Sequence, residues 1–396
     1  MAAAPAATVR IGQSRDGIPA GECGGNLPVV TNARDQLALV TGATGFLGSA
    51  LVVGLLEKGY AVRCVVRGES DVLRVARLRA ALDGVDNVTW SRVEVVEGDL
   101  ALDGLGLSPG RFAALGEDVG LVVHAGARVN MRLPYESLHD TNVRGTQLLL
   151  RVAEAASASF AYTGSLAAVA YGTVGEPFEL IEPVSGGYGQ TKWTADRLVC
   201  AGHREGRVKA VILRAGRITA HSVTGRSNPA DLLEQVLRCC VRLGAIPDLP
   251  TRIRVSPLDW VTNLMLDLCE AQAAFGKAHH LATEEVFPWA GVVDALRAAG
   301  YDLPLVPYDE WRAMVAAAGR DEPGLARLAR GLPTQTLSFD KRPVSGPVNA
   351  RAVFADAFLE LPPAAELLAR TLAAWQRIGV LPAVGAQAVP RRTLPG

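Results

Sequence analysis

Leu37-Ala38-Leu39-Val40-Thr41-Gly42-Ala43-Thr44-Gly45-Phe46-Leu47-Gly48 carries the pattern from which the architecture follows. Leu37 to Val40 is a short apolar run, long enough for a buried strand. Ser49 to Lys58 then carries a helical pattern that ends at Gly59. Between strand and helix, Gly42 permits a tight turn, Gly45 lets backbone approach a diphosphate, and Gly48 lets the helix lie close on the strand. A helix starting there offers unpaired N–H groups and partial positive charge to phosphates. The spacing is G-x-x-G-x-x-G where G-x-G-x-x-G is more usual. In a strand–turn–helix setting it predicts a nucleotide site; alone it would be a turn closing a βα unit.

The next strand, Ala61 to Val66, completes a βαβ unit of the expected ~30 residues. A carboxylate at its end would hold the ribose hydroxyls of NAD. Here Arg67 stands in that place, and Arg77 follows on a helix. Both suit the 2′-phosphate of NADP, unless they are simply solvated. Asp99, after the strand Val93 to Val96, either accepts from the adenine amine or caps the next segment.

Beyond this unit the alternation continues. Leu121–His124, Ser159–Thr163 and Val208–Leu213 read as strands; Asn142–Ala156 and Tyr188–Ala201 read as helices. Apolar strands without polar alternation, separated by helices, indicate a parallel sheet covered on both faces. The expected fold is α/β, a doubly wound parallel Rossmann sheet with a smaller, mainly helical C-terminal substrate domain. Residues 1–35, rich in Ala, Gly and Pro, read as a tail or linker. Residues 36–260 read as the NADP-binding domain, with insertions to the substrate side from about 219, and 261–396 as the substrate domain. Asp231–Leu243, Val261–Gln272 and Trp289–Ala299 are expected helices of the later part.

Tyr188-x-x-x-Lys192 sets two side chains one turn apart on one helix face. A phenol near pKa 10 is a poor proton donor at neutral pH, and a neighbouring ammonium would lower that value. Tyr188 would then protonate an oxygen whose carbon receives hydride, and Lys192 would also reach the cofactor's ribose. A hydroxyl is needed to hold the substrate oxygen: Ser165, just past a strand end, or Thr163. Asn130 could point toward the site from the loop after the His124 strand, and Asn142, opening a helix, reads as a cap or a bridge between strands; neither is counted as catalytic. Trp193 and Trp260 are read as core or interface aromatics.

These segments resemble the extended short-chain dehydrogenase/reductase superfamily. More narrowly, they resemble the thioester reductase domains that end non-ribosomal peptide synthetases, polyketide synthases and carboxylic acid reductases. The likeness lies in TGATGFLG (Thr41–Gly48), CVVR (Cys64–Arg67), Arg77-Leu78, EGDL (Glu97–Leu100), HAGARVN (His124–Asn130) and TNVRGT (Thr141–Thr146). It continues through GGYGQTKW (Gly186–Trp193), LRAGRI (Leu213–Ile218), SNPADLLEQVL (Ser227–Leu237), SPLDWV (Ser256–Val261) and AAGYDLPLVPYDEW (Ala298–Trp311), and covers about Leu37 to Leu381. The family usually has Thr at Ser165 and Arg-Pro-Gly at Arg214-Ala215-Gly216.

The resemblance implies NADPH-dependent reductive release of an acyl or peptidyl chain from a phosphopantetheine thioester, on a carrier protein or coenzyme A. It implies catalysis by Ser165, Tyr188 and Lys192. Cofactor contacts are implied at Gly42, Thr44, Gly45, Phe46, Leu47, Gly48, Arg67, Arg77, Asp99, Leu100, Ala125, Tyr188 and Lys192. The residues leave open how many hydrides are delivered, hence aldehyde or alcohol. The competing readings are a carbonyl reductase or nucleotide-sugar epimerase of the same superfamily, and a non-catalytic NADP-binding protein.

The chain has 396 residues, with 40 basic and 40 acidic side chains, so nothing in its net charge points to nucleic acid as partner. Arg238 and Arg242, one turn apart on an expected helix, are candidates for docking an acidic carrier. The six cysteines show no C-x-x-C and read as reduced core thiols; no metal site and no membrane span is expected. A cytoplasmic location is the expectation.

Overall fold

The computed structural model describes residues 36–339, 347–354 and 361–384. The expected tail, residues 1–35, lies outside the described residues, as does Cys23.

Six strands follow the predicted order: β1 (Leu37–Thr41), β2 (Ala61–Val66), β3 (Val93–Glu97), β4 (Val119–His124), β5 (Ser159–Ser165) and β6 (Lys209–Ala215). A seventh, Ala278–Leu281, pairs parallel with β6. The sheet runs β3-β2-β1-β4-β5-β6 and then this strand, all parallel. The order reverses between β1 and β4, and the crevice at the C-terminal ends of such strands is where doubly wound folds bind ligands.

Successive residues of each strand face opposite sides. Val40, Val62, Val123 and Leu213 point to one face, where they pack with Leu51 and Leu55 of helix α1 (Phe46–Glu57). Leu39, Val122, Phe160 and Ile212 point to the other, against Leu149 of the helix Gly145–Ala156 and Val199 of the helix Gly187–Arg204. Both faces are dry, which is why the strands lack polar alternation.

The expected boundary at residue 260 falls inside the helix Leu258–Glu270. Val261, Leu264 and Met265 of that helix pack into the sheet's first face, and Lys58 of the α1 C-cap pairs with Asp267 at 2.9 Å. The sheet thus continues to Leu281. His279 and His280 break the apolar run that would have marked the last strand. A separate hydrophobic cluster joins Leu237, Trp289, Tyr301, Trp311, Leu368 and Trp375, all from the chain that follows β6. Cys64, Cys200, Cys239, Cys240 and Cys269 are buried free thiols. Among the described residues no helix is long and apolar enough to cross a membrane.

Candidate active site

The glycine turn is built as its spacing requires. Gly42 has φ +75°, and a Cβ on it would stand 2.7 Å from Gly126 N and 2.8 Å from Ala125 C. A Cβ on Gly48 would collide with the Gly42 carbonyl. Gly45 N donates to Gly42 O at 2.8 Å, and Gly45 becomes the N-cap of α1. The helix starts three residues earlier than its apolar pattern suggests. No side chain caps it, and its first turn holds no acid. The first N–H groups are therefore left for an anion, with no carboxylate in the first turn to compete for it. A dinucleotide diphosphate fits this cradle.

At the end of β2, Arg67 and Arg77 come together: Arg77 Nη1 donates to the Arg67 carbonyl at 3.3 Å, and both side chains are exposed. Asp99 stands 4.0 Å from Arg67, and its Oδ1 accepts from Ala101 N at 2.9 Å. The carboxylate is thus engaged as a cap of its own turn. Leu100 fills the space beside Gly126 and Gly145, where a Cβ would meet it at 2.6 Å and 3.0 Å.

A buried relay ties the glycine turn to the centre of the sheet. Thr41 Oγ1 is 2.7 Å from His124 Nδ1, and His124 Nε2 is 3.0 Å from Thr146 Oγ1. Thr146 Oγ1 donates to Asn142 O at 2.7 Å, so it accepts from Nε2–H, and Nδ1 accepts from Thr41. Burial, then the Lys192 charge, pushes His124 down to about 3, so it is neutral at physiological pH. Asn142 lies in a π-helical stretch, Asp140–Arg144, and bridges a loop to a helix where a cap or a link between strands was expected. It accepts from Arg128 N at 2.7 Å and donates to Thr191 Oγ1 at 3.0 Å. Asn130 is spent on its own loop, accepting from Arg132 N and Leu133 N.

Ser165, Tyr188 and Lys192 converge at the C-terminal end of β5. Ser165 is the last strand residue; its Oγ accepts from Ala167 N at 3.2 Å, and its hydroxyl lies near enough to the Tyr188 phenol to favour the phenolate. The Thr163 hydroxyl is buried without a partner, while the Thr163 carbonyl accepts from Lys192 Nζ at 2.6 Å. Lys192 Nζ also lies 4.3 Å from the centre of the Tyr162 ring. The lowered phenol pKa expected from the Y-x-x-x-K spacing is not found. Burial pushes Tyr188 up, with the Ser165 hydroxyl opposing, because the ammonium is turned toward the Thr163 carbonyl. Burial brings Lys192 itself down to about 7, with Asp196 opposing.

Sequence reasoning missed Asp196 and Arg214. Arg214 Nε donates to Asp196 Oδ2 at 2.8 Å, and its other nitrogens reach the Pro177 and Phe178 carbonyls at 2.7 Å and 3.1 Å. The available signal was Asp196 one turn past Lys192, on the same helix face. Arg226 was also missed; it donates to Ser49 Oγ in α1. Trp193 and Trp260 pack on hydrophobic clusters. The proposed docking arginines are engaged elsewhere: Arg238 pairs with Glu234 at 3.5 Å and Arg242 with Glu322 at 2.8 Å.

Comparison with known proteins adds further likenesses. A family model described as Male sterility protein, an NAD-binding family, matches residues 40–265. Isonitrile lipopeptide synthase of Streptomyces coeruleorubidus is 34% identical over 301 residues, covering 73% of this chain and 20% of that protein. L-2-aminoadipate reductase of Saccharomyces cerevisiae is 29% identical over 313 residues, covering 70% of this chain and 22% of that protein. The chain therefore spans only a small part of these relatives. The solved terminal R domain of the myxalamid PKS-NRPS biosynthetic pathway matches with a TM-score of 0.79 and 29% identity, over 88% of this chain and 92% of that domain.

Proposed function

The chain belongs to the Male sterility protein family of NAD-binding domains and resembles a synthetase reductase domain, and from that premise we propose an NADPH-dependent thioester reductase. Its substrate would be an acyl or peptidyl chain on phosphopantetheine, carried by a carrier protein or coenzyme A. One observation carries the reading: Lys192 Nζ, one helix turn from Tyr188, donates to the Thr163 carbonyl of β5, the strand that ends on Ser165.

Gly42, Thr44, Gly45, Phe46, Leu47 and Gly48 would hold the cofactor's diphosphate. Arg67 and Arg77 would take its 2′-phosphate; Leu100 and Ala125 would line its adenosine side, with Asp99 beside them. Tyr188 and Lys192 would face its nicotinamide ribose. Bound NADPH supplies a hydride to the thioester carbon.

Ser165 and Tyr188 would donate to the carbonyl oxygen as negative charge grows there. The raised pKa of Tyr188 keeps the phenol protonated at neutral pH, as a proton donor must be. Lys192 near 7 can switch its charge as that proton moves. One hydride and one proton convert the thioester into an aldehyde and a free thiol. A thiol of pKa near 8.5 is a competent leaving group. The helices beyond Leu281 would form the substrate side.

The test is NADPH consumption with acyl-pantetheine, acyl-CoA and carrier-bound thioesters, with products identified. Aldehyde or alcohol together with free thiol is the expected result. Reduction of free aldehydes or ketones with no thioester consumed would replace this reading with a carbonyl reductase.

A further inference from the structure

A cavity of about 30 Å³ lies between the helix Leu232–Leu243, Ile253 and the C-terminal helix Ala364–Arg377. Thr219 lines it, four residues after Ala215, the residue paired in register with Ser165. Four residues reach at most about 14 Å. The cavity therefore lies at the same end of the sheet as the candidate catalytic hydroxyls. Trp375 closes one wall and is fixed there by its Nε1 bond to Gly225 O at 3.0 Å.

The walls are mainly apolar; Ser227, Asn228, Asp231 and Thr371 also line them, and two buried polar atoms there lack a partner. Glu234 is 3% exposed, and its Oε2 is buried with no hydrogen-bond partner. Thr219 Oγ1 is also buried and unpartnered. The other oxygen, Oε1, has Arg238 at 3.5 Å, and the Ser227 hydroxyl lies beside the carboxyl. An unpaired carboxylate oxygen in such surroundings is costly, and each one in a native protein calls for an explanation. A ligand N–H would remove that cost. The space suits a terminal group about the size of two waters, and its apolar walls suit the carbon chain leading to it.

We propose that this cavity receives the far end of the acyl chain, and that Glu234 Oε2 and Thr219 Oγ1 accept hydrogen bonds from an amine or amide N–H carried there. The inference rests on the thioester-reductase reading of Ser165, Tyr188 and Lys192. It makes Glu234 a specificity-determining residue for chains bearing such a donor.

The test uses pantetheine thioesters of matched length ending in a methyl, an amine or an acetamide. Two readouts are compared: kcat/KM with NADPH, and the Kd of the corresponding amide-linked analogues, which contain no reducible thioester. The expected result is a preference of about tenfold or more for an N–H-bearing terminus at the best chain length. That preference should collapse in Glu234→Met. Glu234→Gln, closest in shape, should keep acetamide discrimination and lose amine discrimination if the amine is bound as ammonium. Loss of both in Glu234→Gln would assign the carboxylate charge to amide binding as well. Equal kcat/KM and equal Kd across the three termini would overturn the inference, leaving the cavity to ordered water. Selective binding of the analogues without thioester turnover would instead overturn the reductase reading and leave the cavity assignment standing.

Discussion

The Asp196 carboxylate accepts two hydrogen bonds from the Arg214 guanidinium, from Nε and Nη2, each 2.8 Å, and neither side chain is exposed. Burial pushes Asp196 upward and the Arg214 bonds oppose it. The pair joins the Lys192 helix to β6, and Asp196 raises the pKa that burial lowers in Lys192. Asp196→Asn removes that support. Melting experiments should show a loss of roughly 3–5 kcal/mol, the usual cost of leaving one buried partner uncompensated. The alkaline limb of the kcat/KM profile should also move to lower pH, because Lys192 would lose its proton sooner. An unmoved profile would remove Asp196 from the site.

The choice between the two candidate hydroxyls follows from where they point. The Ser165 hydroxyl lies beside the Tyr188 phenol, while Thr163 offers Lys192 its carbonyl. Ser165→Ala and Tyr188→Phe should each lower kcat by about two to four orders of magnitude while NADPH still binds, as cofactor fluorescence would report. Thr163→Val keeps the carbonyl and should cost less than about tenfold. A reversed order for Ser165→Ala and Thr163→Val would transfer the role to Thr163.

Cofactor choice depends on the exposed cluster at the end of β2, where Arg77 lies against the Arg67 carbonyl. Arg67→Ala with Arg77→Ala should weaken NADPH by about tenfold or more and leave NADH nearly unaffected, since only the 2′-phosphate distinguishes the two. Titrating both cofactors checks this. Equal losses for NADPH and NADH would place the arginines away from the phosphate.

His124 predicts an acid limit on stability. Its folded-state pKa is depressed to about 3 by burial, below the ordinary value near 6.5. The unfolded chain therefore binds the proton first as pH falls. The stabilising contribution is whole above about 6.5 and is lost between there and about 3. Denaturant titrations should show a loss on the order of a few kcal/mol across that window. In His124→Asn, which loses the imidazole, that component of the slope should vanish even if the starting stability is lower.

Most of the sheet was legible because glycine turns or amphipathic helices flank each strand in sequence. The Ala61–Val66 strand stands where the sequence suggests, and the helix expected over Asp231–Leu243 runs Leu232–Leu243 with Asp231 as its cap. The seventh strand was not legible, since His279 and His280 look polar although both are buried. Of the site, the Gly42–Gly48 turn and the Tyr188–Lys192 pair are local patterns, visible as spacings. Asp196 with Arg214, the cavity shared by Glu234 and Thr219, and the Thr41–His124–Thr146 relay bring together separate segments, so no single local pattern shows them.

Local conformation was written in the residues themselves: the left-handed turn only Gly42 tolerates, the helix face shared by Tyr188 and Lys192, and the apolar strands of a doubly covered sheet. The electrostatics came with tertiary packing. The Y-x-x-x-K spacing predicts an ammonium lowering a phenol's pKa. In the fold the ammonium turns to the Thr163 carbonyl, and desolvation outweighs what remains of its attraction. Proximity along a helix is fixed by the backbone's pitch. A charge's effect depends on which partners and how much water surround it, and those arrive only when distant segments pack together.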